Sequence, residues 1–468
     1  MMKKFNKDKY LKKLKFNKYN RYLYIGIPCL LILLIGIYFT YSKFIVFKEK
    51  EVVRTTVGDF ASGDAIIGAY IDGEYSKSMP GKNDGYVVEK IVCDNDASAS
   101  WDTDSWGIVL TNLTKRTKCN VYFRTNPINK IISQLDVTGK CPAINEDGSV
   151  KVTAAENTNA LLCSAPDAYG TSYYYRGNVT NNYVKFAGFY WRIIRINGDG
   201  TVRVIYDGTS AHTNDDNSID KEFGNPKSDA LYFGITLYGD DNANVGYMYG
   251  KTGASSYAET HANLNDSSAK KVADDWYTRN LSKYSSYIAD NVFCNDRSIS
   301  DIILSEDDFG GYDPVNSEIG YNHGYSTSPT YYRWAFGPWD TGNYNDNMLL
   351  TCPQQNDAFT VSDTNHGNGA LTYPIGLITA DELVLAGGWR GSNYTEAPYL
   401  RVRLPFYTMS AYGSAGPAVA SPFRALVDTF KPASVVGREC ARFVINLKLE
   451  ALLFGDGTMA NPYRPTEN

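Results

Sequence analysis

Trp191-Arg-Ile-Ile-Arg-Ile-Asn-Gly-Asp-Gly-Thr-Val-Arg-Val-Ile-Tyr206 is the stretch whose reading decides the fold. Two runs rich in β-branched and aromatic residues flank Asn197-Gly-Asp-Gly, a cluster suited to a tight turn, so the spacing predicts a β-hairpin. Strand-like runs precede it, Tyr173-Tyr-Tyr-Arg and Tyr183-Val-Lys-Phe-Ala, and the chain closes on another, Arg442-Phe-Val-Ile-Asn-Leu-Lys. Between these ends the periodicity predicts a helix over Ser268 to Asp290, with Val272, Trp276, Leu281, Tyr284 and Ile288 near one face. A second helix is expected to start at Thr379, where Glu382 can complete a capping box, and to stop at Gly387-Gly388. Residues 172–465 therefore read as an α+β domain.

Working back toward the N-terminus, residues 126–171 read as a connector with short helical turns at Pro127 to Leu135 and Thr153 to Cys163. Residues 55–125 read as a small β-sandwich. Its apolar runs Ala65-Ile-Ile-Gly-Ala-Tyr-Ile, Gly85-Tyr-Val-Val, Trp106-Gly-Ile-Val-Leu and Cys119-Asn-Val-Tyr-Phe are split by turn residues, Asp72-Gly73 marking a hairpin. Such a unit is expected to serve as a stalk.

Residues 22–42 carry no charge, and 21 helical positions would span roughly 30 Å, the thickness of a hydrocarbon core. Residues 1–21 hold nine Lys/Arg against one acid, Asp8, a basic tail of the kind found on the cytoplasmic side. Tyr38-Phe-Thr-Tyr-Ser-Lys-Phe has no small-residue cleavage site. The expectation is an uncleaved signal anchor: a single transmembrane helix at the cell membrane, N-terminus cytoplasmic, the remaining domains extracellular. Removing the tail's +8 from the net −5 leaves −13 for the rest of the chain, which disfavours nucleic acid as a partner.

Seven of the eight cysteines lie beyond that segment, where an oxidising setting permits pairing. Spacing suggests Cys93 with Cys119, Cys141 with Cys163 and Cys294 with Cys352, leaving Cys440 single, although spacing alone does not fix connectivity. No zinc-type spacing joins the cysteines to His212, His261, His323 or His366, so no metal is expected. The four histidines read as surface residues without a nucleophile elbow, and no catalytic residue is assigned. Acid runs Asp215-Asp216, Asp240-Asp241 and Glu306-Asp307-Asp308 follow no calcium-loop pattern and read as solvated loops. The glycines of Asn197-Gly-Asp-Gly close a hairpin and open no helix, so they cradle no phosphate. No cofactor is expected.

Several stretches resemble a family of uncharacterised surface proteins from gut Firmicutes: the opening hairpin, Asp275-Trp-Tyr, Phe293-Cys-Asn-Asp, Ile375-Gly-Leu-Ile-Thr-Ala-Asp-Glu-Leu, Phe443-Val-Ile-Asn-Leu-Lys, and Lys118-Cys-Asn-Val-Tyr-Phe in the stalk. The resemblance implies a C-type-lectin-like distal domain of the formylglycine-generating-enzyme variety. Departures limit it. Phe406-Tyr-Thr-Met-Ser stands where the family has Trp-Thr-Met-Ser or Trp-Thr-Leu-Ser, and Arg442-Phe443 replaces Arg-Pro. The Glu-Pro-Asn and Gln-Pro-Asp triplets of calcium-dependent lectins are absent, as are the paired active-site cysteines of a formylglycine-generating enzyme.

Residues 394–445 contain no asparagine, although asparagine is frequent elsewhere. Such a gap fits a target of a diversity-generating retroelement, which rewrites adenines; compositional drift would leave the same mark. Aromatic and arginine side chains anchor interfaces. The candidate ligand contacts are therefore Trp389, Arg390, Tyr394, Tyr399, Arg401, Arg403, Phe406, Tyr412, Phe423, Arg424, Phe430 and Arg438. The expectation is a non-enzymatic, membrane-anchored binding or adhesion protein whose lectin-like head meets an extracellular protein or glycan. The alternatives are a cell-wall enzyme acting on glycan or peptide and an envelope protein without a specific ligand.

Overall fold

A computed structural model of the chain describes residues 52–53, 65–94, 97–111, 117–152, 160–214, 246–250, 262–296, 347–387, 398–401, 406–413, 421–425, 430–432 and 442–466. They belong to two compact units, Met1–Thr125 and Asn126–Asn468.

In the first unit, Thr117–Thr125 alternates strictly: Thr117, Cys119, Val121 and Phe123 are buried, while Lys118, Asn120, Tyr122 and Arg124 lie on the other face. That period-2 pattern makes it the central strand of a four-stranded sheet ordered Glu74–Ser76, Ala65–Ile71, Thr117–Thr125, Tyr86–Cys93. Ala65–Ile71 turns into Glu74–Ser76 through Asp72 and Gly73, both at positive φ, and runs parallel to Thr117–Thr125 on its other side. A second sheet holds Val52–Val53, Gly107–Thr111 and Ser98–Asp102. Ala69, Ile108, Leu110, Cys119, Val121 and Phe123 from both sheets form one core, with Trp101 set edge-on to Phe123 at 5.3 Å.

In the second unit, the hairpin Phe189–Ile196 and Val202–Gly208 sits at the centre of a seven-stranded antiparallel sheet. Leu161–Asp167 and Gly170–Arg176 continue it on one side, and Phe443–Leu447 and Gly376–Leu377 on the other; Tyr183–Phe186 also pairs with Phe189–Ile196. The terminal strand thus pairs with Val202–Ile205, some 240 positions away in sequence. Trp191 through Ile196 and Val202 through Gly208 are buried throughout, so both faces of the central strands are covered. Trp276 of the helix Ser268–Asn280 packs against Trp191, Tyr206 and Phe443.

The α+β class with an N-terminal membrane anchor is corrected by these elements. Among the described residues the α-helices are Pro127–Ile132, Ser268–Asn280 and Ala380–Leu385, of 6, 13 and 6 residues, against strands in seven sheets, so the architecture is mostly β. The physical reason is local. The helix expected to reach Asp290 ends at Asn280 and gives way to a 3-10 segment, Ser282–Tyr287. The one from Thr379 stops at Leu385, with Gly387 at φ +109°. Cys163, expected in helical turns, lies in the strand Leu161–Asp167. No helix among the described residues is long and apolar enough to cross a membrane. The segment 22–42, read as transmembrane helix and signal anchor, lies outside the described residues.

Candidate functional site

The outer face of the first unit's four-stranded sheet gathers side chains that sequence reasoning did not single out. Register places Tyr75 opposite Tyr70, Tyr70 opposite Tyr122 and Tyr122 opposite Lys90, so one row crosses all four strands. With strands about 4.8 Å apart, the row spans roughly 14 Å. Tyr70 and Tyr122 stack at 4.9 Å and 17°, Tyr75 meets Tyr70 edge-on at 5.7 Å, and the Lys90 ammonium lies 5.1 Å from the Tyr122 ring centre. The next rows hold Gly68, Asn120 and Val92, then Ile66 and Lys118. A Cβ on Gly68 would come 2.6 Å from the Asn120 amide oxygen, so glycine leaves that amide its place beside the tyrosines. Glu89 joins Arg124 at 3.0 Å and Lys90 at 3.3 Å.

Among the described residues, the large hydrophobic side chains that this unit exposes are Ile66 (55%), Tyr75 (60%) and Val92 (49%), and all three lie on this face. An apolar patch gathered on one face, bordered by lysines, is the composition of a contact surface and not of scattered exposure. The rings are already ordered by mutual stacking, so a partner meets them at low entropic cost. The alternation Lys118-Asn120-Tyr122-Arg124 was a signal in the sequence; that Tyr70 and Tyr75 join it depends on a parallel register that local spacing does not show.

The second unit buries charge. Arg195 donates to Asp167 at 2.6 Å and to Glu382 at 3.1 Å, and Arg203 reaches the same Glu382 oxygen at 2.6 Å. Burial alone would raise the pKa of Glu382; Arg203 and Arg195 outweigh it and hold the group below the ordinary glutamate value. Glu382 also accepts the Thr379 backbone N–H at 3.0 Å, while Thr379 Oγ1 accepts the Glu382 N–H, so it caps a helix as well. A cavity of about 20 Å³ lies beside this cluster, bordered by Arg203, Asp296, Asp381, Glu382 and Ser410. It suits about one water and falls far below the ~300–1,000 Å³ of small-molecule sites.

A second buried cluster surrounds Arg442 and Arg192. Arg442 donates to Asp207 at 2.7 Å and to the carbonyls of Tyr206 and Leu400. Arg192 donates to Asn182, Asn214 and the Val179 carbonyl and lies on the Tyr183 ring. These arginines tie strands to loops inside a covered sheet.

Of the residues expected at a ligand surface, the side chains the structure describes are those of Tyr399, Arg401 and Phe406. Tyr399 is 2% exposed and faces Arg192 at 5.4 Å; Phe406 is 3% exposed with Arg442 at 5.6 Å. Both are packing residues, a correction to their assignment as contacts. Arg401 is half-buried, its backbone N–H bonded to the Pro398 carbonyl. Tyr412, Phe423, Arg424 and Phe430 fall in the paired strands Phe406–Gly413, Ser421–Ala425 and Phe430–Pro432, but their side chains are outside what the structure describes. Trp389, Arg390, Tyr394, Arg403 and Arg438 lie outside the described residues, as do His261, His323 and the three acid runs.

His212 is buried, not on the surface: its Nδ1 lies 2.9 Å from the Asp207 carbonyl. His366 is partly exposed, its Nδ1 2.7 Å from Asp363. Disulfides join Cys93 to Cys119, Cys141 to Cys163 and Cys294 to Cys352. Among the described residues no group of three or more His, Cys, Asp or Glu side chains is placed to hold a metal ion. Comparison with protein-family models, with curated proteins and with solved structures returns no match.

Proposed function

We propose that this chain is a non-enzymatic binding protein of an oxidising, extracytoplasmic setting, meeting an extracellular protein or glycan through the outer tyrosine face of its first unit. The observation that carries the reading is the in-register row Tyr75, Tyr70, Tyr122 and Lys90, with Ile66 and Val92 exposed on the same face. Three disulfides support the compartment, since such bonds persist where thiols are not kept reduced. The buried carboxylates Asp167, Asp207 and Glu382 of the second unit support a scaffold role there, each being tied to an arginine. Glu382 in addition is held below the ordinary glutamate value by Arg203 and Arg195, whereas a general acid needs a proton to give.

The experiment is retention of the oxidised full chain on arrays of extracellular-matrix proteins and polysaccharides, repeated with Tyr75→Ser and with Lys90→Glu. Loss of retention in both variants at unchanged melting temperature supports the face as the contact. Variants that hold every probe the wild type holds would move the contact elsewhere.

A further inference from the structure

In the second unit, the helix Ser268–Asn280 buries a lysine that the binding reading does not use. Lys270 is completely buried. Its ammonium lies 2.6 Å from Asp274 Oδ2 one turn on, 3.3 Å from Asp266 Oδ1 just before the helix, and 3.4 Å from Thr372 Oγ1. Residues four apart on a helix are neighbours, so the Lys270–Asp274 approach follows from sequence spacing. The placement of Asp266 is less expected: it sits in the two-residue strand Asn265–Asp266, paired with Met248.

Two features separate this trio from an ordinary ion pair. First, the other carboxylate oxygen of Asp274, Oδ1, is buried and has no hydrogen-bond partner among the described residues. A buried carboxylate with one bare oxygen is poorly stabilised as an anion. Second, the two carboxylates differ in access, Asp266 being about a third exposed and Asp274 half that. Burial raises the pKa of Asp274 more than the Lys270 hydrogen bond and charge lower it, which favours its acid form. Tyr247, fully buried, adds a wall close enough for both carboxylates to act on its phenol.

We propose that Lys270 and Asp274 join as an intramolecular amide that the chain makes itself, with Asp266 as the proton carrier. Asp266 takes a proton from the Lys270 ammonium, and the freed Nζ lone pair attacks Asp274 Cγ. One N–C bond forms and one C–O bond breaks. The departing oxygen keeps the proton of the Asp274 acid form, takes a second from the attacking nitrogen and leaves as water, while the proton taken by Asp266 passes to solvent. Nothing is oxidised or reduced and no co-reactant is needed. The Lys270 ammonium is held 2.6 Å from Asp274 Oδ2, so the two groups are already brought together, and such proximity supplies much of the barrier reduction in intramolecular reactions. The reaction also removes the buried Lys270 cation, so the desolvation cost of holding it disappears.

The test is the intact mass of the full chain, reduced and denatured, followed by trypsin. The amide makes the chain lighter by one water. Cleavage after Lys271 then leaves the peptide ending Lys270-Lys271 covalently joined to Val272–Arg279. Lys270→Arg should show the full mass and separate peptides, and Asp266→Asn should accumulate the uncoupled chain. Full mass with separate peptides in the wild type overturns the proposal, as does a water loss that persists in Lys270→Arg. Coupling at the wild-type rate in Asp266→Asn would overturn the part assigned to Asp266.

Discussion

Arg195 and Glu382 stand 187 residues apart in sequence and meet inside the second unit at 3.1 Å, Nε to Oε1. Glu382 serves three partners from that position: Arg195, Arg203 and the backbone N–H of Thr379. Replacing it by glutamine keeps the shape and removes the charge that two buried guanidiniums share. Removing one partner of a buried ion cluster costs about 3–5 kcal/mol, because the remaining charges stay desolvated and uncompensated. Urea unfolding of Glu382→Gln should show that loss with an unchanged m-value. A change under about 1 kcal/mol would mean water or a neighbour takes over the charge.

The same residue sets a pH dependence. Its folded-state pKa lies below the ordinary glutamate value, despite burial, because Arg203 and Arg195 outweigh desolvation. A depressed folded pKa contributes stability that is present above the unfolded value, about 4.3, and is lost as pH falls toward the folded one. Stability measured between pH 7 and pH 3 should therefore drop on the acid side, and Glu382→Gln should show a shallower drop. Parallel curves for the two proteins would assign the acid sensitivity to other carboxylates.

The capping role of Glu382 was legible in the sequence, and the charge role was not. Thr379 and Glu382 are three residues apart, within reach of local reasoning, and the structure holds both bonds of the box. The hairpin around Asn197 was legible for the same reason, its turn residues being adjacent. Arg195, Arg203, Asp167 and Glu382 converge only once four separate segments are placed, and no spacing rule announces that. The extent of helix was overread because Trp276, Leu281, Tyr284 and Ile288 kept an apolar rhythm past the point where the backbone tightens into a 3-10 turn. The binding surface was sought in residues 389–438 on composition, yet Tyr399 and Phe406 pack inside. Tyr70 and Tyr122 read as strand residues, and only the parallel register makes them neighbours.

Cys93 and Cys119 are directly opposed on neighbouring antiparallel strands, and Cys119 belongs to the first unit's core. The bond closes a chain segment of 26 positions. Chain-entropy reasoning gives a loop of that size about 3.5 kcal/mol of stabilisation. The double variant Cys93→Ala/Cys119→Ala should unfold the first unit earlier by that amount, read from tryptophan fluorescence of Trp101 and Trp106, which stand edge-on at 5.3 Å within it. An unchanged transition would mean that the other five core residues, Ala69, Ile108, Leu110, Val121 and Phe123, carry the unit without the link.

Tyr75 and Tyr122 test whether the outer face is built for packing or for contact. Tyr122 is held between the Tyr70 ring at 4.9 Å and the Lys90 ammonium at 5.1 Å, while Tyr75 sits at the end of the row and is 60% exposed. Stacked aromatic pairs contribute about 0.5–1.5 kcal/mol beyond area burial, and exposed cation–π contacts about 0.5–1 kcal/mol. Tyr122→Ala should therefore cost about 1–2 kcal/mol in denaturant unfolding of the first unit. Tyr75→Ser, which gives up one edge contact and mostly solvent-exposed area, should stay within about 0.5 kcal/mol of the wild type. That asymmetry is what a binding face requires: inner members of the row hold the surface in shape, and the outer member is free to meet a partner. If Tyr75→Ser destabilised as much as Tyr122→Ala, the row would be packing from end to end, and the contact would have to be sought on another surface.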